Sequence, residues 1–274
     1  MNPIPAFAGW QWIARGAALF RQQPAELATL VFAYLFLLLG LSIIPLLGQI
    51  LPAILVPVFS MAFMQACVDI EEGRRVYPNL LLVGFRSPAV RALLLLGALY
   101  MLTALLVMGI SLLVDGGALA KLFNGEKDLS EDAMRNAGLA LLLAAVMYTP
   151  VMMSFWFAAP LVMWQKMGVV KALFFSFIAV KRAGKAFLFY GLVWALILTV
   201  LPVLVTGIVS LLTESALVAT MVLMPLSVGM MVVMYCSFYP MYRDIFSVES
   251  PATTPIIAAL ESEAKTDSDS TPQI

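Results

Sequence analysis

The sequence predicts an all-α membrane protein, a polytopic bundle of six transmembrane helices. Three observations predict it. Of 274 residues, 62% are apolar and only 12% charged, with a mean hydropathy of +0.98. Soluble domains average about 45–50% apolar and about 25% charged, so this chain has too few polar side chains to cover a soluble surface. The apolar residues are gathered into five runs free of Asp, Glu, Lys and Arg: 27–68, 92–114, 136–165, 186–213 and 215–242. A helix needs about 20 mostly apolar residues to cross a bilayer. The backbone must satisfy itself there, so long uninterrupted runs point to helices and not to the short alternating segments of a β-barrel.

The first run, at 42 residues, is too long for one crossing. Pro45, Gly48, Gln49 and Pro52 interrupt its centre, and a tight turn near Gly48–Gln49 divides it into two spans. The six spans are then about 27–47, 50–68, 92–114, 138–164, 187–212 and 217–241. Residues 1–246 make a transmembrane helical domain. Residues 247–274 turn polar and acidic, which predicts a disordered cytoplasmic tail. Arg15 and Arg21 interrupt the N-terminal segment, which does not read as a cleaved signal peptide.

An even number of spans puts both termini on one side, and charge chooses the side. Sixteen cations balance 16 acids, but 13 of the cations fall on the side of the termini. The opposite side carries Lys121, Lys127 and Arg135 with six acids, Asp115, Glu126, Asp128, Glu131, Asp132 and Glu214. The positive-inside rule therefore predicts cytoplasmic termini in a bacterial inner membrane. In the external loop, Ser130 before Glu131 and Asp132 reads as a helix N-cap, and the loop's carboxylates as solvated. Asp69, Glu71 and Glu72, beside Arg74 and Arg75, read as a self-neutralising turn.

Two further segments read as amphipathic helices lying in the membrane interface. In residues 8–23, Trp10, Ile13, Ala17 and Phe20 share one face and Gln11, Arg15 and Gln22 the other, with Trp10 and Trp12 suited to the headgroup zone. Residues 167–180 carry Val170, Phe174 and Phe177 on a stripe with lysines at both ends. Three places look alike: Phe20-Arg21, Phe85-Arg86 and Phe177 to Arg182 each precede a span. The second helix of each following pair carries a proline and then a serine, Pro57/Ser60, Pro150/Ser154 and Pro225/Ser227. The simplest unit is a basic entry helix followed by two spans, used three times, which keeps every copy in the same orientation.

The segments Gly9-Trp10-Gln11-Trp12, Phe20-Arg21-Gln22-Gln23-Pro24, Ile44-Pro45-Leu46-Leu47-Gly48, Phe85-Arg86 and Ala159-Pro160-Leu161-Val162 carry a resemblance over most of residues 8–246. The chain resembles an uncharacterised family of polytopic, mainly proteobacterial inner-membrane proteins of unknown function. The resemblance implies an inner-membrane location and about six helices, and it implies no activity and no catalytic residues.

The chain has no histidine, and the predicted spans hold no ionisable carboxylate or cation. That argues against ion-coupled transport, proton pumping and voltage sensing, which need charge at membrane depth. Balanced net charge argues against a nucleic-acid partner. No phosphate-cradling loop, serine elbow or metal-spaced Cys/His cluster is present, so no cofactor, metal or catalytic residue is expected. Cys67 and Cys236 read as buried free thiols. The polar residues of the spans, including Thr103, Tyr148, Thr149 and Ser154, are explained by hydrogen bonds between helices. The expected partners are membrane lipids, with a homo-oligomer left open and protein partners unknown. Contacts to anionic headgroups fall to Arg15, Arg21, Arg74, Arg75, Arg86, Lys171, Lys181, Arg182 and Lys185. The expected function is a non-enzymatic scaffold or accessory factor touching anionic lipid; the alternative is a transporter or channel for a neutral or lipid-like solute.

Overall fold

A computed structural model describes residues 4–45, 47–115, 131–213 and 216–246. The predicted external turn at Asn124–Gly125, the Ser130 cap and the polar tail fall outside the described residues. Ten α-helices make up the described chain: α1 (Ala8–Gln22), α2 (Pro24–Ser42), α3 (Leu47–Glu71), α4 (Val83–Arg86), α5 (Val90–Asp115), α6 (Glu131–Phe155), α7 (Ala158–Met163), α8 (Val169–Arg182), α9 (Gly184–Leu212) and α10 (Ala216–Phe246). Six stretches are long and apolar enough to cross a membrane: Pro24–Ser42, Ile50–Glu71, Val90–Val114, Gly138–Met163, Gly184–Val209 and Thr220–Phe246. The predicted six spans and the all-α class hold.

The limits of the helices follow backbone chemistry more than the edges of the apolar runs. The first turn comes earlier than predicted. α2 stops at Ser42, and Gly48 already lies in the first turn of α3. Pro45 disfavours helical geometry at Ile44. The chain doubles back so tightly that a Cβ on Gly48 would stand 2.6 Å from the Leu41 carbonyl oxygen. At its other end α3 runs past the apolar limit and takes in Asp69 and Glu71. It closes where Gly73 adopts a left-handed φ of 71°. The Gly73 N–H then donates to the Ile70 carbonyl and the Arg74 N–H to the Asp69 carbonyl, which satisfies the last carbonyls of the helix. α10 likewise extends through Arg243 and Asp244 to Phe246. The fourth span is broken at Trp156–Phe157 into α6 and α7.

The chain divides into two compact units. The first comprises Met1–Leu35, Ala62–Leu81 and Ala183–Ile274; the second comprises Phe36–Met61 and Leu82–Arg182. In the first unit, α1 packs on α9 and α10. The contact is made by glycines: a Cβ on Gly9 would meet the Ala186 carbonyl oxygen at 2.6 Å, and one on Gly16 the Ser237 nitrogen at 2.7 Å. Tyr34 stands edge-on to Phe63, which stacks on Tyr235 with centroids 4.5 Å apart. In the second unit, α5 lies along α6, and α8 packs on α6 and α7. A 3-10 turn (Pro78–Leu82) leads into α4, whose Gly84 abuts Val58 and whose Phe85 meets Phe59 edge to face.

The buried face of α1 differs from the predicted one. Ala8, Gly9, Trp12, Ile13, Gly16 and Leu19 are buried, whereas Trp10 is 44% exposed. Of the predicted stripe, Ile13 is buried, Ala17 and Phe20 are half-buried and Trp10 lies outside; the contact shifts toward Gly9, Trp12 and Gly16 because the close approach is set by small residues. On α8, Val170 is 80% and Phe174 60% exposed, as an interfacial stripe requires, and Phe177 is half-buried, while Val169, Ala172, Ser176 and Val180 are buried.

These contacts bear on the threefold pattern. α1 precedes the first pair and packs on the last, α8 precedes the last pair and packs on the second, and α4 precedes the second pair and packs on α3 of the first. With Arg21 set against Lys181, the buried residues Gly9, Trp12 and Gly16 fall on the buried residues Val169, Ala172 and Ser176. The middle copy departs from the pattern, since its entry is a 3-10 turn and four helical residues rather than an amphipathic helix.

Candidate functional site

The charged residues nearest the spans gather where α3 and α10 end, in the first unit. Each acid is claimed by donors from another turn or another helix. Asp244 of α10 accepts from Trp12 Nε1 at 2.8 Å and from both terminal nitrogens of Arg15, one at 2.9 Å. Trp12 is fully buried, against Phe187 and Tyr190, with its polar tip held by that carboxylate. Glu71 of α3 receives Arg243 Nη1 at 2.7 and 2.9 Å and the Tyr239 hydroxyl at 3.0 Å. Asp69 accepts from Gln65 at 3.0 Å and from Arg74 at 2.5 Å, and Arg74 also pairs with Glu72.

Two parts of this arrangement correct the expected self-neutralising turn. Asp69 and Glu71 are helical, and Glu71 finds its cation 172 residues away instead of beside it. The neighbouring pair Asp69–Arg74 does form as expected. Local charge patterning reports only pairs a few residues apart, so nothing in the sequence joined Glu71 to Arg243, or Trp12 to Asp244.

Above the ion pairs the unit holds two buried, free cysteines, with Cys67 Sγ 4.0 Å from the Cys236 carbonyl oxygen. Ser237, which follows Cys236, forms a buried hydroxyl pair with Tyr190 at 2.6 Å. Among the described residues no three His, Cys, Asp or Glu side chains are grouped to hold a metal.

The polar residues of the spans mostly bond their own helix. Thr103 donates to the Tyr100 carbonyl, Thr149 to Ala145, Ser154 to Pro150 and Ser60 to Pro57. The expected bonds between helices are replaced here by back-bonding one turn earlier in the same helix. Two contacts in the second unit do cross between helices. The Tyr100 and Tyr148 hydroxyls are 2.5 Å apart. Ser176 Oγ donates to the Met153 carbonyl at 2.8 Å and accepts the Phe157 N–H at 3.0 Å, bridging the break between α6 and α7.

The nine predicted headgroup cations divide into two groups. Arg15 and Arg74 are taken by intramolecular carboxylates. Arg21, Arg75, Arg86, Lys171, Lys181, Arg182 and Lys185 are exposed, and none forms an ion pair with another described residue. Lys171 lies over the Phe175 ring, 5.8 Å from its centre. Arg21, Arg75 and Lys185 belong to the first unit, and the other four to the second.

No family model matches the chain, and no solved structure matches it. A probable inner membrane protein of Burkholderia thailandensis is 40% identical over 255 residues, which cover 90% of this chain and 94% of that protein. Six membrane-length apolar helices and this likeness define a multi-pass integral protein of the inner membrane. The chain belongs to the same family as the Burkholderia protein, and the resemblance read from its sequence segments is borne out.

Proposed function

We propose that the protein is a non-enzymatic scaffold or accessory factor of the inner membrane, with both termini cytoplasmic, that meets anionic lipid through a basic rim. The observation that carries this reading is the two-sided character of α8. One face is buried in the second unit, while Val170 and Phe174 stay exposed beside the exposed cations Lys171, Lys181 and Arg182. Apolar side chains at acyl depth with cations at headgroup level are what an interfacial helix presents to an anionic leaflet. The carboxylates at the ends of α3 and α10 support the non-enzymatic part, because each is held by an arginine: Asp244 and Glu71 clasp one helix to another, and Asp69 closes the turn after α3.

Charge reversal of Arg75, Lys181, Arg182 and Lys185 should lower the phosphatidylglycerol and cardiolipin that purify with the protein. Unchanged retention overturns the reading. Arg74 is left out because its charge is already neutralised within the fold. Passage of a neutral or lipid-like solute is the second reading, and the Tyr100–Tyr148 pair supports it. These half-exposed hydroxyls lie midway along α5 and α6, where lipid offers no hydrogen-bond partner. Facilitated phospholipid passage in reconstituted vesicles, retained after charge reversal, would favour that reading over the first.

A further inference from the structure

The geometry points to a phosphate seat for an anionic phospholipid at the corner between α1 and α2, with Arg21 and Arg75 as its cations and Gln23 as the residue that assembles it. The inference rests on the reading that the basic rim meets anionic lipid, and it names one place on that rim.

A single side chain builds the corner. Gln23 lies between α1 and α2, and its amide pairs with the backbone on both sides of Arg75. Its Nε2 donates to the Arg74 carbonyl at 2.7 Å, and its Oε1 accepts the Val76 N–H at 3.0 Å. This is the pairing one strand makes with another, made here by a side chain. It holds the Arg75 backbone beside a residue only two positions from Arg21. The two adjacent arginines of the loop then meet different fates. Arg74 is consumed by Asp69 and Glu72, whereas Arg75 and Arg21 are exposed and form no ion pair with any other described residue.

The occupant follows from where the corner lies. α2 starts here and α3 ends just before it, and both are membrane-length, so the corner stands where helices leave the apolar slab. Tyr77, two residues beyond Arg75, is 57% exposed, and such amphipathic rings sit at headgroup level. Guanidinium groups match the paired oxygens of a phosphate. A phosphate anchored by acyl chains satisfies both the cations and the ring.

The test measures phosphatidylglycerol retained by the full-length protein in mild detergent. Each cation near an anionic surface is worth about fivefold in binding. R21Q/R75Q should therefore lose much more lipid than K181Q/R182Q, which removes the same charge elsewhere. Q23A removes no charge and should nevertheless lose part of what R21Q/R75Q loses. If Q23A lowers thermal stability by itself, R21K/R75K carries the test: it keeps both charges but lacks the fork, so reduced retention is expected and wild-type retention overturns the seat. Equal loss from the two neutralised pairs, with Q23A unchanged, also overturns the seat and leaves the diffuse rim standing. Release of the lipid by inorganic phosphate alone assigns the corner to a free anion and overturns the lipid. No phosphatidylglycerol on the wild-type protein overturns both the seat and the rim.

Discussion

Asp244 serves two donors in very different surroundings. Trp12 is fully buried, while the side chain of Arg15 is 44% exposed. An indole N–H left without an acceptor in a packed interior costs about 1–3 kcal/mol. An exposed ion pair is screened and contributes less than about 1 kcal/mol. Asp244→Ala should therefore lower the unfolding temperature in detergent clearly more than Arg15→Gln, and equal shifts would show that the Trp12 bond contributes nothing. The sequence did not disclose this role. Trp10 and Trp12 are both aromatic, close together and suited to an interface, and only the position of α9 and α10 makes one a core residue and leaves the other outside. Gly9 and Gly16 carry the same lesson. They form the tightest contacts of α1, yet hydrophobic periodicity gives weight only to large side chains.

Among the elements, the existence of six long helices was legible because bilayer thickness and the cost of buried charge act on length and composition alone. Their ends were not, because a helix continues until its carbonyls are closed. In α3 that happens at Gly73, beyond Asp69 and Glu71, so two carboxylates that read as loop residues are helical. The break between α6 and α7 was equally hidden, because the run from 136 to 165 carries no charge to mark it. Ser176 of α8 holds that break by bonding the Met153 carbonyl and the Phe157 N–H. Ser176→Ala would remove both of these bonds, at a cost of about 1–3 kcal/mol. A clear fall in thermal stability in detergent is the expected outcome. Ser154→Ala, which removes a bond within one exposed turn, should change it little.

At the scale of the whole molecule, the proposed topology places the loop around Ser130 outside the cell and the tail inside. With Cys67 and Cys236 replaced by serine, Ser130→Cys should react with a membrane-impermeant maleimide on intact cells. Ser262→Cys should react only after the inner membrane is opened. The opposite pattern would invert the protein and move the basic rim to the outer leaflet. The threefold pattern was legible as motif spacing, but the order of packing was not, since α1 and α8 lie on pairs other than the ones they lead into and α4 abuts α3 as well as α5. That order matters for how the protein is made. α1 leaves the ribosome well before its partners α9 and α10. Elongation at about 5–20 residues per second delays them by roughly ten to forty seconds. During that delay Gly9, Trp12 and Gly16 have no protein to lie against. The newborn helix can wait on the membrane surface, with Trp10 and Trp12 among headgroups, before the finished chain draws Trp12 inward and Asp244 takes its N–H.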